Sequence, residues 1–146
     1  MFRGSAPAKI DAKGRLKIPT DFRRILDERY GPDLFVTSVI GDCALIYPLP
    51  VWEEIEARLS AVPGQDPTKR RFLERVSFYG QQVQRDSQGR VLIPQILRDK
   101  AEMSGDVVVS AHLDHLRVWN RDRIEKRLEE EPFTEEDYRS LSEHGI

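Results

Sequence analysis

At 146 residues the chain has room for one ordinary domain or two small ones. A hydrophobic fraction of 39% supports a real core, while the charged fraction of 33% exceeds the quarter typical of soluble domains. No run approaches the roughly eighteen apolar residues of a membrane helix, and the opening Met1-Phe2-Arg3-Gly4-Ser5 lacks the pattern of a secretory leader. One cysteine, Cys43, permits neither an internal disulfide nor an all-cysteine metal site. The expectation is a cytoplasmic protein with no membrane partner.

The net charge of −2 conceals an uneven distribution. From Met1 to Arg24, seven bases face two acids, a net charge of +5; from Asn120 to Ile146, five bases face nine acids, a net charge of −4. A basic front suits an anionic partner, although solvated faces of one sign also occur without any.

In chain order, the first element is a motif, Asp11 to Pro19, in which Gly14 serves a tight turn and the aspartate ties it down. A short amphipathic helix follows, then strands at Leu34–Ile40 and Ala44–Tyr47 around the turn residues Gly41 and Asp42. Pro50 opens a helix over about 51–59, with Val51, Ile55 and Leu59 as a buried stripe. Ala61 to Gln65 reads as a linker, and Asp66-Pro67 as the cap and first turn of a helix through Phe72, Leu73 and Val76. The pattern then restarts. Asp86 to Pro94 repeats the opening motif 75 residues on, Arg23 aligns with Arg98, and Phe22 with Leu97. Strands follow at Val107–Ala111 and Leu116–Trp119 around Asp114 and His115, then a helix from about Arg121 to Glu130 with Ile124 and Leu128 inward. A last short helix starts at Thr134, where Phe133 and Tyr138 are spaced for a hydrophobic staple and Asp137 for a capping partner.

These elements divide the chain into a first repeat over 1–60, a linker and helix over 61–81, a second repeat over 82–131 and a tail over 132–146. A repeat of about 50 structured residues is marginal as an independent core, so the two are expected to pack together. The fold class expected is α+β, mainly β with short helices.

The motif carries the chemistry. Alternation along Arg15, Leu16, Lys17 and Ile18 sets the two cations on one face and the two aliphatic residues on the other; in the second copy Arg90 and Leu92 oppose Val91 and Ile93. A two-stranded ribbon fits the major groove of double-stranded DNA, where arginine pairs bidentately with guanine. Arg3, Lys9, Lys13 and Lys17 are close enough in sequence to serve phosphates. A turn clamp, in which Asp11 holds Arg15 and Asp86 holds Arg90 for structure alone, accounts for the same residues. The motif does not separate the two.

Other chemistry is sparse. His112, Asp114 and His115 sit at an expected surface turn whose first-copy counterpart has no histidine, and a closed metal site needs about four ligands. No phosphate-binding glycine loop, nucleophile elbow or helical zinc motif is present, so no catalytic residue, cofactor, metal or small-molecule substrate is expected. Cys43 beside Ala44 and Leu45 reads as a small core residue.

The opening Met1 to Gly4, the segment Ile10 to Pro19, its copy Asp86 to Pro94 and the Tyr47-Pro48 to Trp52 segment closely resemble MraZ proteins. The likeness covers essentially Met1 to Leu141. It implies two units of the AbrB type, forming a pseudo-twofold swapped-hairpin barrel within one chain. It implies a DNA-binding transcriptional regulator of its own division and cell-wall gene cluster, acting at short G-rich direct repeats. A ring-shaped homo-oligomer associated with the nucleoid is implied as well. Asp11 with Arg15, and Asp86 with Arg90, fall on the family's two motifs. Lys13 becomes Gln88 and Lys17 becomes Leu92, so Arg15 with Lys13 is expected to dominate DNA contact, with the second copy serving more in packing. Related swapped-hairpin units also occur in antitoxins, so a protein-interaction module of antitoxin or scaffold type is the alternative. Its natural contact would be the acidic segment from Glu129 to Asp137.

Overall fold

A computed structural model describes residues 1–146. The motif folds as expected into two short strands around a turn: β1 (Ser5–Ile10) and β2 (Arg15–Lys17) in the first half, β5 (Gln81–Gln84) and β6 (Arg90–Leu92) in the second. Pro19 and Pro94 end these hairpins and stand at the N-caps of α1 (Thr20–Arg29) and α4 (Gln95–Lys100). The remaining strands are β3 (Asp33–Thr37), β4 (Ala44–Pro48), β7 (Gly105–His112) and β8 (His115–Asn120). Helices α2 (Leu49–Ser60), α3 (Pro67–Phe78), α5 (Arg121–Glu130) and α6 (Glu135–Ser142) complete the chain.

All eight strands belong to one antiparallel, nearly closed sheet in the order β5-β3-β4-β8-β7-β1-β2-β6. The order exchanges hairpins between the halves. β1 pairs with β7, from Ser5 opposite Ser110 to Ile10 opposite Gly105, and β5 pairs reciprocally with β3. β2 pairs with β6, placing Leu16 opposite Val91 at the centre. Two further bonds tie the junction: Ile18 N–H donates to the Gly89 carbonyl at 3.2 Å, and Ile93 N–H to the Gly14 carbonyl at 3.0 Å. The fold is α+β and mainly β.

One core of 19 buried residues draws on both halves, with Leu16, Leu26, Leu34 and Val36 from the first and Val91, Ile93, Leu97 and Val109 from the second. Neither half could bury these side chains alone, because each hairpin's apolar face is covered by strands of the other. A second cluster, of Cys43, Leu45 and Trp119, lies beneath α5. Burial pushes the Cys43 thiol up to about 12, with neighbouring Asp42 adding to the effect. The thiolate is the reactive form, so Cys43 is expected to resist a disulfide reagent at pH 8 in the folded protein and to react fully in denaturant.

Local capping follows the sequence closely. The Asp66 side chain accepts from Thr68 N–H at 2.8 Å ahead of Pro67. Thr134 and Asp137 form a reciprocal capping box, and the Phe133 and Tyr138 rings meet edge to face at 4.7 Å. Four expectations are corrected. Strand β3 ends at Thr37, not Ile40, because Thr37 Oγ1 donates to the Val76 carbonyl and Ser38 Oγ accepts from Gly41 N–H, drawing the chain out of the ladder. In α2 the stripe is not buried throughout: Ile55 and Leu59 are half-buried, and Trp52, stacked on Phe35 at 4.7 Å, is the deep contact beside Val51. Leu128 is 67% exposed rather than inward, since α5 packs through Ile124 while Arg127 lies over the Trp119 ring at 5.2 Å. His115 belongs to β8 and is buried, the turn being Leu113 and Asp114.

No helix is long and apolar enough to cross a membrane.

Candidate nucleic-acid interface

The two motif turns are built alike. Asp11 Oδ1 accepts from the Lys13 and Arg15 backbone N–H groups at 3.0 and 2.9 Å, while Oδ2 accepts from Arg15 Nε at 2.9 Å. Asp86 does the same for Gln88 and Arg90, with Arg90 Nε at 2.8 Å. Gly14 and Gly89 carry positive φ angles of 84° and 74°, as the tight turn requires. The clamp therefore exists. It uses only Nε of each arginine, and the terminal guanidinium nitrogens of Arg15 and Arg90 have no partner within the chain. A planar fork held by its stem and open at its tip is prepared for a bidentate acceptor.

Each turn is also supported by an arginine from the other half, which sequence reasoning passed over. The Arg23 side chain donates to the Gln88 carbonyl at 3.0 Å and packs so closely that a Cβ on Gly89 would overlap it. Arg98 packs in the same way against Gly14, while its Nε donates to the Ile93 carbonyl. The identity of Arg23 and Arg98 across the repeat was the available signal. Their role follows only from the exchanged hairpins.

Strand register gathers most of the expected residues on one outer face. Arg15 lies opposite Leu92, and Lys17 opposite Arg90. Continuing the pairing of Ile10 with Leu16 by one residue sets Lys9 beside Lys17. Lys9, Lys17 and Arg90 thus form a cationic row across β1, β2 and β6. Asp106, opposite Lys9 at 4.0 Å, and Asp86 on Arg90 offset part of this charge, while Lys17 has no acidic partner in the chain. Lys13 sits exposed at the tip of the first turn. Arg3 is not brought there: Phe2 bridges Leu113 at the far end of β1, leaving Arg3 about 20 Å along the strand from Lys9 at ~3.3 Å per residue.

The histidine turn is engaged internally. His115 Nδ1 lies 2.9 Å from Asp114 Oδ1, Nε2 accepts from Arg117 Nε at 3.3 Å, and the ring stacks on Tyr47 at 4.3 Å. Both ring nitrogens are occupied, and burial holds its pKa below the usual histidine value.

The family model described as MraZ protein matches residues 1–75 and again 79–143. This chain belongs to the MraZ family. It is 49% identical to the transcriptional regulator MraZ of Acidobacterium capsulatum and 45% identical to that of Koribacter versatilis, covering 100% of both chains in each case. It is 38% identical to that of Syntrophobacter fumaroxidans, over 82% of this chain and 79% of the relative. These MraZ relatives bear the name of a regulator, not of an enzyme.

The motif aspartates of this MraZ chain titrate low. The Arg15 backbone N–H is the largest influence holding Asp11 below the ordinary 3.8, ahead of the Arg15 side chain, with partial burial opposing; Arg90 does the same for Asp86. A carboxylate with a depressed pKa stabilises the fold above its ordinary pKa, and that contribution fades as pH falls through the folded value. The turns should therefore still hold at pH 3.8 and loosen only as pH falls through the lower folded values. An NMR titration is expected to place both carboxyl midpoints under 3.8, with loss of the Arg15 and Arg90 Nε–H signals as each protonates; midpoints at or above 3.8 would show the clamps absent in solution.

Proposed function

We propose that this chain is a sequence-specific DNA-binding transcriptional regulator that reads the duplex with the outer face of the β2–β6 ribbon. The observation that carries this is the pair of arginines, each steadied at Nε by its own aspartate and open at the guanidinium tip, on a cationic two-stranded ribbon. The names of the relatives support the regulatory role. Arg15 and Arg90 read base edges, Asp11 and Asp86 orient them, and Lys9, Lys13 and Lys17 meet phosphates. Arg3, at the far end of β1, reaches the duplex only where the duplex extends past that end. Counting charge along each hairpin separately ranks Arg15 above Arg90. The register sets Arg90 beside Lys17, which supports a reading in which the two arginines contribute alike.

The targets we propose are short G-rich direct repeats upstream of its own division and cell-wall gene cluster. A ring-shaped homo-oligomer associated with the nucleoid would engage several repeats at once, gaining affinity through effective concentration. Light scattering should then give a mass well above that of one 16.9 kDa chain.

Fluorescence anisotropy with a G-rich repeat duplex and a shuffled duplex tests the central claim. Binding should fall steeply between about 50 and 200 mM salt, with a preference for the repeats. A protein-interaction module of antitoxin type would instead work through the acidic segment from Glu129 to Asp137 and show no salt-linked duplex binding. That outcome would replace DNA reading with the protein-binding alternative.

A further inference from the structure

Beside the second turn lies a cavity of about 430 Å³ with no hydrophobic side chain in its wall. It opens between α1 and the Asp86–Gly89 turn, so Thr20, Arg23, Arg24 and Asp27 come from one half, and Arg85 and Ser87 from the other. The Arg85 side chain is only 10% exposed. Its Nη2 donates to Asp27 Oδ1 at 2.7 Å and to the Gly31 carbonyl at 3.3 Å, while Nη1 has no partner in the chain. The Nε atoms of Arg23 and Arg85 are both buried without an acceptor. Buried donors are normally satisfied, so a wall with this many spare N–H groups is short of acceptors. Asp86 is already engaged by Arg90, Asp27 pairs with Arg85 and Asp21 with Arg24, which leaves Arg23, whose Nη2 donates only to Thr20 Oγ1 at 3.3 Å, without a carboxylate.

The other end of the molecule lacks this chemistry. Across the 75-residue correspondence, Arg24 becomes Asp99, Asp27 becomes Glu102 and Arg85 becomes Ile10. The second turn also carries Gln88 where the first has Lys13. The turn without a lysine is the one with the arginine cavity.

We propose that this cavity binds a phosphate group, gripped by Arg85, Arg23 and Arg24 with hydroxyl donation from Thr20 and Ser87. In the protein–DNA complex the group is a backbone phosphate flanking the base that Arg90 reads; that clause rests on the function proposed above. Guanidinium forks hold phosphate oxygens bidentately, so the cavity fixes register where flexible lysines would supply charge alone.

The test uses the full chain, with Arg24→Gln and Arg85→Gln screened first by thermal melting. The Arg24 side chain is 62% exposed, so Arg24→Gln keeps the fold and carries the test even where Arg85→Gln loosens the Asp27 contact. Repeat and shuffled duplexes are titrated across salt, and inorganic phosphate is titrated by calorimetry at low chloride. Arg24→Gln should weaken both duplexes alike, about tenfold, and lower the slope of log affinity against log salt by about one. One methylphosphonate beside the Arg90 base should abolish the difference between wild type and variant. An unchanged slope, with inorganic phosphate binding lost in the variant, would assign the cavity to a free phosphate compound. Wild-type slopes together with no phosphate binding that the variants lose would overturn the site. Absence of any salt-linked duplex binding by the wild type would reject the DNA function instead, and the phosphate titration would then decide the cavity alone.

Discussion

Arg15→Ala is expected to lower affinity for the repeat duplex while circular dichroism and oligomer mass stay as in the wild type. The substitution deletes a guanidinium whose terminal nitrogens have no partner within the chain, and whose Nε bond to Asp11 is a partly exposed ion pair of small net value. The Asp11 carboxylate keeps its two backbone N–H donors, so the turn survives. Loss of a bidentate guanine contact costs about 1–3 kcal/mol per site, and a ring engaging several repeats multiplies the effect. Discrimination between repeat and shuffled duplex should shrink more than affinity for the shuffled duplex. Arg90→Ala should lose as much, because Arg90 completes the row with Lys17 and Lys9. Unfolding by Arg15→Ala would assign the pair to structure alone. A clearly smaller loss in Arg90→Ala would return the second copy to a packing role.

Leu16→Ala is expected to be the most damaging single change to stability. Leu16 is fully buried and faces Val91 where the halves meet, so the cavity left by truncation opens at the seam of both. Such deletions cost about 2–5 kcal/mol, a large part of a total of roughly 5–15 kcal/mol. At about 2–4 °C per kcal/mol for a chain of this class, the melting temperature should fall by roughly 10 °C. Calorimetry should show one transition in both wild type and variant, since neither half has a core of its own. Two transitions, with only one displaced, would mean that the halves fold separately.

Contacts spanning a few residues were legible in the sequence because their physics is complete within a short window. Asp11 reaches the N–H groups two and four residues on, Gly14 supplies the positive φ angle, and Thr134 and Asp137 satisfy each other across one turn. Arg15 and Lys17 sharing a face needs only the two-residue period of a strand. Tertiary structure alone decided what depends on partners 58 or more residues away: that Arg23 supports the turn at Gln88, that Lys17 meets Arg90, and that Arg85, whose counterpart is Ile10, closes a cavity against Asp27 of α1. The same holds for Leu128 and His115, whose exposure follows from which surface α5 and β8 happen to meet. Sequence patterns report which side of an element is apolar; the exchange of hairpins determines what that side finds opposite.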